Sequence, residues 1–214
     1  MSEEPFDIIT EADARRLRVG GTVVLRRGGH VTPLAADTLR ERRIRIVRED
    51  GLAGPDALAL APAADIRRVS IGSDHTGVAL KARLIDALRG RGIGVIDEGT
   101  HDGASVDYPD TAARVARTVA RGEADAGIVI DGAGLGSAIA ANKIPGIRAA
   151  MCPSETLARY ARQHNGANVL ALGASLLTFE EAQRIVETWM TTPMTEGRYI
   201  ERLVKIRALE GPAG

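Results

Sequence analysis

Aromatic side chains are scarce: two Phe, three Tyr and one Trp make up 3% of 214 residues. The core must therefore be built from Ala, Val, Ile and Leu, which suits close packing of helices on a sheet. Cysteine occurs once, as Cys152, which excludes an internal disulfide framework and a multi-cysteine metal site. No apolar run approaches the roughly 20 residues of a membrane-spanning helix. Neither sign of charge is in excess. With 28 basic and 28 acidic residues the formal net charge is zero, which gives no push toward nucleic acid. The opening segment, MSEEPFDIITEADARRL, is acidic and has no signal-peptide core. The expectation is a cytoplasmic protein with neither a membrane nor a nucleic-acid partner.

What is present reads as globular, with 44% hydrophobic and 26% charged residues. The length suits one ordinary domain plus a small addition. Residues 1–50 form that addition, a small α+β extension. In it, Thr10 caps a helix over 11–17 with Asp13 three positions on, and Gly20-Gly21 leads into a strand over 22–25. Thr32-Pro33 opens a helix to about residue 43, and a strand follows over 44–47. Residues 51–66, rich in Ala, Gly and Pro, read as a linker; a short apolar docking peptide is the competing reading. From 67 to 210, strand-like apolar runs alternate five times with helical periodicity. That pattern predicts a five-stranded parallel sheet covered on both faces. A further helix over 198–209 carries Arg198 and Arg202 four positions apart, on one face.

Ligands of such sheets sit beyond the carboxyl ends of the strands. The densest chemistry there is GIVIDGAGLGSAIAANK, residues 127–143, where an apolar strand ends at Asp131 and opens into a turn containing Gly132, Gly134 and Gly136. A dinucleotide fingerprint is rejected, because Ser137 stands where its third glycine belongs. A backbone nest for an oxyanion or phosphate remains, against a turn that needs glycine for shape alone. Asp74-His75 ends the first strand of the main domain and could bind sugar hydroxyls and an anion, or simply cap the next helix. His164-Asn165 closes a helix, where a histidine serves either the helix dipole or a proton transfer. Arg198 and Arg202 suit a phosphate clamp or a solvated basic face. Cys152, alone after an apolar strand, reads as a buried structural residue.

Together the segments IGSDHTGVALK, VIDEGTHDGASVDYPD, GLGSAIAANKIPGIRAAMC, ARQHNGANVLALGA and TEGRYIERLVKI resemble the B-type ribose-5-phosphate isomerase family, which includes galactose-6-phosphate isomerase subunits. The resemblance covers about residues 67–210. It implies a Rossmann-like α/β/α fold and a homodimer, often paired into tetramers, with sites at the dimer interface. It also implies metal-free and cofactor-free aldose–ketose isomerisation of a sugar phosphate through a cis-enediolate. By the same resemblance, Asp74, His75, Tyr108 and Asn165 contact the substrate, and His164 opens the sugar ring. Arg198 and Arg202 hold the phosphate, and Gly132, Gly134, Gly136 and Ser137 form the anion loop.

The chain departs from that pattern at several positions. Asp131 stands where many members have a catalytic cysteine, and Ser137 where others have a glutamate base. Ala133 replaces a threonine, Gly166 an aspartate and Ser175 an arginine. Asp131 is expected to be the proton-transfer base. Its reference pKa of about 3.9, against about 8.5 for cysteine, would have to be raised by burial and by the like charge of Asp74. Loop N–H groups bonded to the carboxylate would act the other way. The extension, through DIITEADARRL and GGHVTPLAADTLRERRIRI, resembles segments of bacterial microcompartment proteins, which implies docking to a shell or partner enzyme. A buttress for the dimer is the plainer alternative.

Overall fold

The computed structural model describes residues 5–48, 60–63 and 65–210. It divides into two compact units, one formed by residues 66–162 and 167–192, the other by the described parts of 1–65, 163–166 and 193–214.

The larger unit alternates strand and helix five times: β4 (Arg68–Ser73), α3 (Val78–Gly90), β5 (Gly94–Asp97), α4 (Tyr108–Ala120), β6 (Ala126–Asp131), α5 (Leu135–Ala141), β7 (Ala149–Met151), α6 (Glu155–Asn165), β8 (Val169–Gly173) and α7 (Phe179–Thr191). The last residues of α6 group with the smaller unit. All five strands are parallel, in the order β5-β4-β6-β8-β7. β6 and β8 are buried at every position, as expected of central strands covered on both faces.

Two apolar clusters line the sheet. One joins Leu84, Ile85 and Leu88 of α3 to Ile185, Val186 and Trp189 of α7. The other joins Ala112, Val115 and Ala116 of α4 to Ala138 and Ala141 of α5. With so few aromatics, the second is built by close approach. A Cβ on Gly127 would stand 2.8 Å from a Val115 methyl. The chain leaves β4 for β5 on one side and returns to β6 on the other. The β4/β6 boundary is therefore a topological switch point, where parallel sheets form ligand crevices.

The smaller unit comprises β1 (Phe6–Ile9), α1 (Glu11–Arg16), β2 (Thr22–Val31), α2 (Pro33–Glu41), β3 (Arg45–Arg48) and α8 (Gly197–Ala208). Thr10 and Asp13 form the expected reciprocal cap of α1, and Thr32 with Pro33 opens α2. The Thr10 hydroxyl and N–H, with Arg16, hold the Asp13 carboxyl at a pKa of about 2. Two features went unanticipated. β1 exists, and β2 runs on to Val31, because Ile8 and Ile9 pair with His30 and Val31 beyond an irregularity in register. All three strands are parallel, in the order β1-β2-β3.

Most of the 51–66 linker segment lies outside the described residues. Of what is described, Leu60 and Ala61 pack against Val47, Met194, Ile200 and Leu203, and Ile66 enters the core of the larger unit. No described helix is long and apolar enough to cross a membrane.

Candidate active site

In the larger unit the strand ends converge at the switch point. Asp131 closes β6 and is buried, with 4% of its surface exposed. Its Oδ1 accepts the N–H of Ala133 at 2.8 Å and that of Gly134; its Oδ2 accepts the N–H of Ser137 at 2.8 Å. Burial pushes this carboxyl up, but the Ser137 hydroxyl and the N–H groups of Ser137, Gly134 and Ala133 outweigh it. The net pKa lies below the ordinary carboxylate value. Of the opposing influences named from the sequence, the loop N–H groups prevail: the donors of the glycine turn bond the carboxylate itself. The turn needs its glycines for shape as well. Gly134 has φ 77°, and a Cβ there would stand 2.9 Å from the Leu172 carbonyl carbon.

Asp74, at the end of β4, uses Oδ1 to accept the Thr76 N–H at 2.9 Å, the Thr76 hydroxyl at 2.6 Å and the Gly77 N–H at 3.3 Å. That oxygen caps the turn into α3, the plainer of its two readings. Its Oδ2 makes no hydrogen bond among the described residues. His75 and Thr76 are exposed on the same turn. The β6 loop lies beside it: a Cβ on Gly132 would stand 3.8 Å from both the Thr76 and the Ser175 hydroxyl oxygens. Ala174 and Ser175, after β8, donate their N–H groups to the carbonyls of Asp131 at 2.8 Å and Gly132 at 3.0 Å. Tyr108, the first residue of α4, lays its ring over the loop, so that a Cβ on Gly136 would meet its Cζ at 2.5 Å. Asp74, His75, Tyr108, Asp131, Gly132, Gly134, Gly136 and Ser137 are therefore brought together at one mouth.

Two other buried groups near the strand ends are satisfied by packing. Lys81 pairs with Asp97 at 2.5 Å. Burial raises the Asp97 carboxyl, but the Lys81 ammonium and the Gly99 N–H outweigh it and hold it low. Burial lifts the Cys152 thiol to a pKa of about 11, which leaves it protonated and inert at neutral pH.

The remaining expected residues lie in the smaller unit, and three of them, His164, Arg198 and Arg202, surround a side chain the sequence did not single out. The His164 ring lies against the Tyr199 ring with centroids 4.5 Å apart. The guanidinium carbons of Arg198 and Arg202 stand 4.8 and 5.3 Å from the centre of that ring. Arg198 also donates to the Tyr199 hydroxyl at 3.1 Å. Both arginines are exposed, and neither pairs with a carboxylate among the described residues. Asn165 is exposed at the end of α6. Gly166 has φ +58°, and a Cβ there would meet a Leu203 methyl at 2.8 Å. The departure at 166 thus follows from α8 packing over that turn.

Thr76 and Tyr199 are residues beside the candidate site residues that sequence reasoning passed over, and Ser175 entered it only as a departure from the family pattern. For Tyr199 the available signal was an aromatic between two arginines of one helix in a chain poor in aromatics. Among the described residues, no group of three or more His, Cys, Asp or Glu side chains is placed to hold a metal ion.

Fold and site together define a Rossmann-like α/β protein with a polar mouth at its switch point. A family model described as Ribose/Galactose Isomerase matches residues 69–206, and the chain belongs to that family. Ribose-5-phosphate isomerase B of Escherichia coli strain K12 is 43% identical over 145 residues, covering 68% of this chain and 97% of its own length. The structure of Clostridium thermocellum ribose-5-phosphate isomerase B is 50% identical over 67% of this chain and 97% of that one, with a TM-score of 0.66. The Mycoplasma genitalium enzyme, crystallised with bound ribulose-5-phosphate, is 38% identical over 68% of this chain and 97% of its own, with a TM-score of 0.65.

Proposed function

We propose that this protein is an aldose–ketose isomerase that interconverts ribose 5-phosphate and ribulose 5-phosphate through a cis-enediolate. The observation that carries this reading is the cluster of His164, Arg198 and Arg202. It joins two guanidiniums without carboxylate partners, suited to a phosphate dianion, to a histidine able to move a ring proton. His164 opens the ring, with Asn165 on a neighbouring hydroxyl. Asp74, through its unbonded Oδ2, binds sugar hydroxyls with His75 and Tyr108 beside it. Asp131 moves the proton between C2 and C1. As its carboxylate takes the proton and loses its charge, the N–H groups of the Gly132–Gly134–Gly136–Ser137 loop pass to the oxygen on which charge develops.

A specific observation supports a second reading. Asp131 is a resident anion whose oxygens already hold three loop N–H groups. If it never leaves them, the chain binds sugar phosphates and turns them over weakly. A change of substrate, prompted by Asp131, Ala133, Gly166 and Ser175, is a third outcome of the same assay. Ribose 5-phosphate, allose 6-phosphate and galactose 6-phosphate are offered to wild type and Asp131→Asn. Turnover of ribose 5-phosphate that falls by about 100-fold or more in the variant is expected of a lost general base. Near-wild-type turnover by a folded Asp131→Asn would falsify the role given to Asp131, and binding without turnover across the panel selects the second reading.

The working form is proposed to be a homodimer, pairing into tetramers. Leu135 and Ile139, one turn apart on α5 and 59% and 64% exposed, support self-association. A wild-type protein monomeric in light scattering at micromolar concentration overturns this. The proposed setting is the bacterial cytoplasm. Docking of residues 1–50 to a microcompartment shell or partner enzyme is proposed from the resemblance read in their sequence and from nothing else.

A further inference from the structure

The family match begins at residue 69, yet the smaller unit unites the extension before it with the helix that carries the clamp arginines. Val47, in β3 of the extension, is fully buried in one apolar cluster with Met194, Ile200 and Leu203, and Leu60 and Ala61 pack against it. Tyr199 is half-buried at the edge of the same cluster. The residue packs against the apolar cluster, and its ring meets Arg198, Arg202 and His164.

The nature of this anchorage matters. Long arginine side chains lose much rotamer freedom when they grip a ligand, and pre-ordering reduces that loss. A carboxylate would order them at the cost of neutralising the charge that a phosphate needs. An aromatic face holds a guanidinium without cancelling its charge. Tyr199 does this for two guanidiniums at once, and its hydroxyl fixes the nearer one at 3.1 Å. An aromatic face is only as well placed as the cluster beneath it, and Val47 of the extension belongs to that cluster.

We propose that the N-terminal extension is a brace for the phosphate clamp: Val47 fixes the apolar face of α8, and Tyr199, seated at its edge, positions Arg198, Arg202 and His164. This rests on the clamp role given above to the two arginines. Tyr199 and Val47 are positioning residues; neither is assigned contact with the substrate. The brace gives the extension a role in the reaction without any external partner.

The test uses full-length protein, inorganic phosphate as the probe in titration calorimetry, and steady-state kinetics with ribose 5-phosphate. Tyr199→Phe keeps the face and removes the hydroxyl. Tyr199→Leu removes both. Val47→Ala opens a cavity under α8. Leu39→Ala opens one in the separate apolar cluster of the extension and serves as the stability control. At roughly two- to fivefold per cation–aromatic contact, Tyr199→Leu is expected to weaken phosphate binding by about tenfold and to raise KM in parallel. Tyr199→Phe and Val47→Ala are expected to weaken it by about two- to threefold, and Leu39→Ala to leave it unchanged even where it lowers Tm as much. Unchanged phosphate affinity in Tyr199→Leu, or equal losses in Val47→Ala and Leu39→Ala, overturns the brace. Loss of phosphate binding in Arg198→Ala with Arg202→Ala checks the clamp itself. If that double variant binds phosphate like wild type, the clamp reading has failed, separately from the brace.

Discussion

The two polar clusters of this protein treat charge in opposite ways. At the mouth of the larger unit, the negative charge of Asp131 is met in full by its own loop. In the smaller unit, the positive charges of Arg198 and Arg202 rest on a neutral ring, with no carboxylate partner among the described residues. The first arrangement is complete without a ligand. The second is ordered but uncompensated, and so suited to an incoming dianion. The chain thus holds charge in reserve where the phosphate would be gripped, and binds it internally where the proton would move.

Four measurements break or sharpen this contrast. The largest effect is expected from removing the uncompensated charges. Charge-assisted contacts each contribute about 1.5–3 kcal/mol, so Arg198→Ala with Arg202→Ala should raise KM by at least about 100-fold. In wild type alone, phosphate at about 100 times its Kd should stabilise the fold by about 2.7 kcal/mol. A double variant with unchanged KM and an intact phosphate-induced Tm shift removes the contrast.

Asp131→Asn comes next. It leaves one or more buried loop N–H groups facing an amide, and is expected to cost about 2–3 kcal/mol of stability at neutral pH. The pH dependence has a definite sign. The folded pKa of Asp131 lies below the unfolded value, so its contribution is present above the unfolded carboxylate value and lost as pH falls through the folded one. Urea titrations from pH 7 to pH 3 should therefore show the gap between wild type and Asp131→Asn closing as pH falls. A gap that stays constant, or widens toward acid, contradicts the loop bonding.

A smaller effect is expected from Gly136→Ala. The new methyl displaces the Tyr108 ring, with a typical overpacking cost of about 1–3 kcal/mol. Its kinetic signature should be a raised KM for the sugar with phosphate affinity unchanged, because the clamp is not involved. The smallest effect concerns Cys152. With its thiol lifted to a pKa of about 11, native protein at pH 8 should resist alkylation that unfolded protein undergoes at once. Rapid labelling of native protein would show that the strand end is open.

Much of the larger unit was legible because period and punctuation agree there. Each apolar run is bounded by glycine, proline or a polar cap, and its alternation with helical stretches leaves little choice but a parallel sheet. The extension was harder to read. Four residues of β1 carry too little pattern, and the Gly28-Gly29 pair in β2 reads locally as a turn although Ile8 and Ile9 pair just past it. The site was legible as residue types. Asp131 stood out, but the direction of its pKa turned on whether three N–H groups bond the carboxylate or a ligand, and no spacing reveals that. Gly166 read only as a departure from the family pattern. It is a left-handed turn under α8, where any side chain would be strained.

The sequence alone determined the order of elements in the larger unit, the strand ends that carry the candidate chemistry, and the family of residues 69–206, because local periodicity and contiguous motifs survive in one dimension. The tertiary structure decided how charge is met. It turned the glycine loop onto Asp131, placed two arginines and a histidine around Tyr199, and joined a strand from before residue 50 to a helix near the end of the chain. Those outcomes depend on which groups come within a few ångströms across long sequence separations, and they fix both the acidity of a carboxylate and the reach of a guanidinium.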